Sequence, residues 1–166
     1  MAGELDYFVP FLLYRVMAKG IRRATADYAN MNLTIQEARL LIALARHRTM
    51  RVGALANLTC IEPSALSHML RKLSRRNLVK RDRVHDDNRS VDVRLTVEGA
   101  RIARACQALS KRHEEAMLNG FSKPEQQEVR TLLNRMYENV AEWADGGTLT
   151  IAANGEKRNA LKARLK

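Results

Sequence analysis

The stretch that most limits what this chain can fold into runs from Pro63 to Gly99: PSALSHMLRKLSRRNLVKRDRVHDDNRSVDVRLTVEG. Its hydrophobic period changes twice. Leu66, Met69, Leu70 and Leu73 recur at three- and four-residue spacing, which places them on one stripe of a helix. Ser64, Ser67, His68, Arg71 and Arg75 fall on the other face. From Ser90 to Leu95 the period drops to two, with Val91, Val93 and Leu95 alternating with polar neighbours, as in a half-buried strand. Leu78 to Val84 reads as its partner strand, and His85-Asp-Asp-Asn-Arg89 between them is rich in turn formers. Thr96 then suits a helix N-cap, with Glu98 favoured in the first turn by the helix dipole.

Helices flank this unit on both sides. Residues 5 to 31 carry Leu5, Phe8, Phe11, Leu12, Val16, Met17, Ile21, Ala24 and Tyr28 at helical spacing, with Pro10 in the first turn or at a kink. Thr34-Ile-Gln-Glu37 is a capping box opening a helix to about Arg46, with Ala38, Leu41, Ile42 and Ala45 inward. A short piece, Val52 to Leu58, a tight connection, and Pro63 at a first helical position complete a helix-turn-helix. After the hairpin a helix runs from about Val97 to Asn119. A second capping box, Ser122-Lys-Pro-Glu125, opens a last helix to about Trp143. The expected fold is mostly α with a small β-hairpin wing: four helices, two strands, two helices. Residues 145–166 turn small, polar and basic, and are expected to be a flexible tail.

Charge narrows the partners. Lys plus Arg number 29 against 18 Asp plus Glu, a net +11, which favours a polyanion. Nine of those cations but only four acids lie between Arg71 and Arg94, interrupted by the apolar positions of helix and hairpin. No apolar run is long enough to cross a bilayer. The N-terminal MAGELDYF lacks the basic region of a secretory signal, so a cytoplasmic protein is expected. Cys60 and Cys106 form no C-x-x-C and read as two reduced thiols. His47, His68, His85 and His113 show no metal-ligand spacing, and no cofactor is expected. No catalytic constellation is visible, which sets an enzyme aside. The basic end, 157 to 166, lacks aromatic anchors for a membrane surface.

In order and in motif the chain resembles the MarR family of bacterial winged helix-turn-helix transcription regulators. Asp87-x-Arg89, then Leu95-Thr96-x-x-Gly99, looks like that family's wing signature, and PSALSHMLRKLSRRNLVKR resembles its recognition helix leading into the first wing strand. The likeness covers roughly residues 5 to 143 and is sharp over about 52 to 99. One departure is Asn77 where the family usually has glycine; asparagine is the next-best residue for a left-handed cap.

The resemblance implies a sequence-specific DNA-binding regulator. Residues 1–33 would be an N-terminal dimerisation helix, 34–96 the winged helix-turn-helix, and 97–144 C-terminal dimerisation helices. Ser64, Ser67, His68 and Arg71 would reach base edges in the major groove, with Arg71 best suited to guanine. Lys72, Arg75 and Arg76 would serve the phosphates, and Arg83 is a further DNA-binding candidate. In the wing, Asp87 would aim Arg89 into the minor groove by a charge-assisted bond. Phe8, Phe11, Leu12, Leu132, Met136, Val140 and Trp143 would pair two copies, which then read an inverted repeat. Relatives respond to aromatic acids or acyl-CoA thioesters, so Tyr14, Met17, Ile21, Arg22, Ile42 and Arg46 are candidates to hold such an effector. The peroxide-sensing branch uses a cysteine in its first helix, and none precedes Cys60. The competing expectation is a winged-helix nucleic-acid-binding protein with no ligand control.

Overall fold

The computed structural model describes residues 8–84 and 87–144, with residues 83, 84 and 87–90 described by backbone alone. The chain order is α1 (Val9–Ala29), α2 (Ile35–His47), β1 (Thr49–Arg51), α3 (Val52–Thr59), α4 (Pro63–Arg75), β2 (Val79–Val84), β3 (Asp87–Leu95), α5 (Val97–Met117) and α6 (Lys123–Ala144). It is a mostly helical fold with one small antiparallel sheet. Two compact units divide at Asn119/Gly120, and α6 belongs to the second.

In the first unit α2 packs against α1, α3 and α5, while α3 packs on α4 and α4 on β2. Leu40, Leu41, Leu44, Leu55, Leu66, Leu70, Leu73 and Val93 are fully buried there. Their spacing explains the elements that carry them. Leu66, Leu70 and Leu73 are the i, i+4, i+7 stripe of α4, and Val93 is the inward residue of the alternating strand. Met69, expected on the same stripe, is only partly buried at its edge. Cys106 is also in this core, where burial pushes its thiol up to about 11 and keeps it protonated and inert. Cys60 is exposed.

The sheet has three strands where two were expected, in the order β1-β3-β2. Three residues are too few to show a period, so β1 exists only because β3 offers a free edge: Thr49 pairs with Arg94, Met50 with Val93, and Arg51 with Asp92. The hairpin also closes more tightly than its turn-forming residues imply. Val84 pairs with Asp87 while Arg83 pairs with Val91, so 88–90 form an irregularity within β3 rather than part of an open loop.

Three helix ends use one device. Just past α1, α3 and α4, Asn32, Cys60 and Asn77 take left-handed backbone, with φ of 59, 52 and 55°. In each case the next amide turns back to a carbonyl five residues earlier: Leu33 to Tyr28 at 3.1 Å, Ile61 to Ala56 at 3.2 Å, Leu78 to Leu73 at 3.0 Å. Leu33, Ile61 and Leu78 are then buried, so each cap also drives an apolar anchor into the core. The Asn77 expectation from sequence is thereby met.

The Thr34–Glu37 capping box is complete, with the Thr34 hydroxyl accepting from the Glu37 amide at 3.1 Å and the carboxylate accepting from the Thr34 amide at 2.8 Å. At Ser122 only half of the expected box forms. Glu125 accepts from both the Ser122 amide and its hydroxyl, each at 2.7 Å. Here the hydroxyl is turned to donate to the carboxylate.

Candidate nucleic-acid interface

The exposed face of α4 follows from its buried one. Ser64, His68, Arg71 and Arg75 are all exposed and stand at i, i+4, i+7 and i+11, a single line opposite Leu66, Leu70 and Leu73. Ser67 lies beside that line and is half-buried. Pro63 holds the first helical position, and Glu62 caps the helix by accepting from the Ser64 amide at 2.7 Å and from its hydroxyl at 2.5 Å. The Ser64 hydroxyl, with its amide, holds the Glu62 carboxyl below its usual range. Ser64 therefore has a helix-start role whatever else it touches.

The basic residues from Arg71 to Arg94 divide into engaged and unengaged groups. Lys72 reaches Glu37 at 2.8 Å, Arg76 donates to the Asn32 carbonyl at 2.8 Å, and Arg94 pairs with Asp82 at 2.9 Å. The first two tie the recognition helix to α2 and to the turn before it, and the third joins the two wing strands. Arg71, Arg75, Lys80 and Arg81 are exposed and hold no ion pair among the described residues. The side chains of Arg83, Asp87 and Arg89 lie outside the described residues, as do His85 and Asp86 altogether.

Glu37 was legible only as a cap. It is 1% exposed and is the one buried charged residue among those described. Burial raises its pKa, but the Lys72 ammonium, the Thr34 amide and Arg76 outweigh that and hold the carboxyl below its ordinary value. An acid on the inward side of a predicted helix was the available signal, since it needs a partner from another element.

Gly99 and Thr96 tie the far end of α4 to α5. The Thr96 hydroxyl accepts from the Gly99 amide at 2.9 Å and donates to the Asn77 carbonyl at 2.6 Å. The Thr96 amide donates to the Leu78 carbonyl at 3.1 Å. A Cβ on Gly99 would sit 1.8 Å from that same carbonyl oxygen. The Leu-Thr-x-x-Gly part of the motif is thus a joint between the recognition helix exit and α5.

The expected effector and pairing residues are placed as follows. Tyr14, Met17 and Ile21 are exposed along α1, as are Arg22 on α1 and Arg46 on α2, while Ile42 packs on the core. Phe8 and Leu12 are exposed and Phe11 half-buried. On α6, Leu132, Val140 and Trp143 are exposed and Met136 half-buried, and no residue of that helix is buried. At the α1–α5 contact, His113 Nε2 is 2.8 Å from Asp27 Oδ2. That bond is the main cause of the lowered Asp27 carboxyl pKa, aided by Arg23 against a smaller effect of burial.

The MarR family model matches residues 33–91, the span from the first left-handed cap through the helix-turn-helix and into the wing. Residues 33–91 are thus a MarR-type domain. An HTH-type transcriptional repressor of Mycobacterium tuberculosis is 27% identical over 126 residues, covering 76% of this chain and 91% of that protein. The crystal structure of a MarR-family transcriptional regulator from Silicibacter pomeroyi superimposes with a TM-score of 0.74 at 26% identity, covering 82% of this chain and 92% of that one. MarR of Escherichia coli, solved in complex with operator DNA, shares the fold at a TM-score of 0.66 and 22% identity, covering 75% and 90%. With its MarR-type domain and these relatives, the chain is a DNA-binding transcription regulator of MarR type. Among its described residues no helix is long and apolar enough to cross a membrane.

Proposed function

We propose that this MarR-type regulator is a sequence-specific DNA-binding repressor that acts as a homodimer on an inverted repeat. The observation that carries the reading is the exposed line Ser64–His68–Arg71–Arg75, set against the buried Leu66–Leu70–Leu73. A polar and cationic ridge on a helix anchored at both ends has the form that enters a major groove. Ser64, Ser67, His68 and Arg71 read base edges in this proposal, and Arg75 grips phosphate, with Lys72 and Arg76 contributing charge from their anchored positions. Arg83 adds charge from the wing. Arg89, aimed by Asp87, enters the minor groove.

One such module spans too little DNA for useful specificity. Pairing of Phe8, Phe11 and Leu12 with Leu132, Met136, Val140 and Trp143 of a second copy supplies the two-fold. The unburied apolar residues of α6 support that pairing. Release from DNA falls to a small aromatic or phenolic carboxylate or its CoA thioester, held by Tyr14, Met17, Ile21 and Ile42 with Arg22 or Arg46 facing the acid. Such a regulator acts in the cytoplasm, where its operator is.

Duplexes selected from a random pool, then footprinted against competitor DNA, test the reading. Two protected half-sites and a preference of ~10³ or more over competitor are expected. Arg71→Ala should relax specificity at one base pair by about 1–3 kcal/mol, and Arg89→Ala should weaken all duplex binding and flatten its salt slope by about 1. Uniform protection with no selected sequence would overturn it in favour of a nucleic-acid-binding protein without an operator.

A further inference from the structure

Residues 38 to 61 contain no aspartate or glutamate, yet they hold Arg39, Arg46, Arg48 and Arg51. This is the half of the reading head that precedes the recognition helix. Arg46 stands in the last turn of α2, Arg48 just past its end, and Arg51 at the end of β1, where it is also the N-cap of α3. All three are exposed and hold no ion pair among the described residues. The nearest acid by strand register is Asp92, opposite Arg51; Asp82, one strand further, is taken by Arg94.

The position of these arginines is set by the sheet. β1 runs antiparallel to β3, so Arg51 lies at its wing-ward end, level with Asp92 and three residues from Arg89 along β3. The corner is rigid on the reading head, because α3 packs on α4, β1 and β3. α3 also has no acid in its first turn, so nothing offsets the positive end of that helix beside Arg51.

We propose that Arg46, Arg48 and Arg51 form a second backbone clamp for duplex DNA, on the β1 edge of the reading head. The inference rests on the DNA-binding reading above and extends its contact surface. Arginine suits the task, since its planar fork meets phosphate oxygens in pairs and never loses its charge. The clamp touches no base edge, so it adds affinity and register but no sequence preference.

The test compares the full chain with a triple variant, Arg46→Gln, Arg48→Gln and Arg51→Gln. The probes are the selected duplex and a mixed-sequence duplex, each titrated over a range of salt. The variant should bind both duplexes at least about tenfold more weakly at low salt, with a slope against log salt flatter by about 0.9 for each phosphate no longer neutralised. The ratio between the two duplexes should stay unchanged. The matching triple Lys variant should restore most of the slope, which a merely structural role would not do. A wild-type slope in the folded Gln variant overturns the clamp while leaving the DNA-binding reading intact. A changed ratio between the duplexes also overturns it, by making these residues base readers. Absence of duplex binding by the unaltered protein removes the reading on which the clamp rests.

Discussion

The reading head and α6 treat the same kinds of side chain in opposite ways. From Leu33 to Val93 the leucines and valines at helical and strand spacing are largely buried, several to 0% exposure, within one chain. Along α6, Leu132, Leu133, Tyr137, Val140 and Trp143 stay 45–59% exposed, and nothing on the helix is buried. Apolar spacing alone therefore does not say where a stripe will be covered. The reading head completes its own interior and so presents a fixed polar face. Helix α6 leaves its apolar side chains uncovered within its own unit, which is what the proposed pairing would cover.

The most damaging way to break the reading head's side of this contrast is Gly99→Ala. The new methyl would meet the Leu78 carbonyl, which is backbone and cannot swing away. A loss above about 4 kcal/mol is expected, seen as a collapse of the melting temperature. A normal melt would show that α5 can shift without cost. Next in size, Leu132→Glu with Val140→Glu should shift the proposed dimer to monomer by about a hundredfold or more in sedimentation. The same pair should leave reading-head stability within about 0.5 kcal/mol. Unfolding of the whole chain would instead make α6 part of one shared core.

Glu37→Ala comes third, at about 2 kcal/mol, since it strands the Thr34 amide and the half-exposed Lys72. The native carboxyl is held below its ordinary 4.5, so its contribution is present above that pH and is lost as pH falls through the folded value. Acid melts of the variant should accordingly lie closer to wild type below that window than at neutral pH. Smallest is Asn77→Gly, which relieves the left-handed backbone and should stabilise by about 0.5–1 kcal/mol in chemical unfolding. A loss there would mean the asparagine side chain matters beyond its backbone.

The helices and the wing were legible because each carries its own local signal: a capping box at Thr34, Pro63 at a first turn, alternation at Val91–Leu95. Strand β1 was not, because Thr49-Met50-Arg51 is a strand only by virtue of its neighbour. The tight hairpin closure at Val84–Asp87 escaped for a similar reason, since turn-forming residues do not say which pair closes the ladder. At the candidate site the exposed line on α4 could be read from helical spacing. The engagement of Lys72, Arg76 and Arg94 could not, because counting charges does not reveal which are already held by Glu37, Asn32 and Asp82. Arg46 was read only as an effector candidate, and Arg48 and Arg51 were not singled out, for the converse reason. They are spread across two elements, and their signal is the missing acids rather than a dense cationic run.

The Thr96 hydroxyl bridges the Asn77 carbonyl and the Gly99 amide, and Gly99 leaves no gap above Leu78. Such a coupling has no backlash. Any tilt imposed on α5 reaches the butt of the recognition helix at once, with no slack loop to absorb it, so the long helix works as a lever on the reading head.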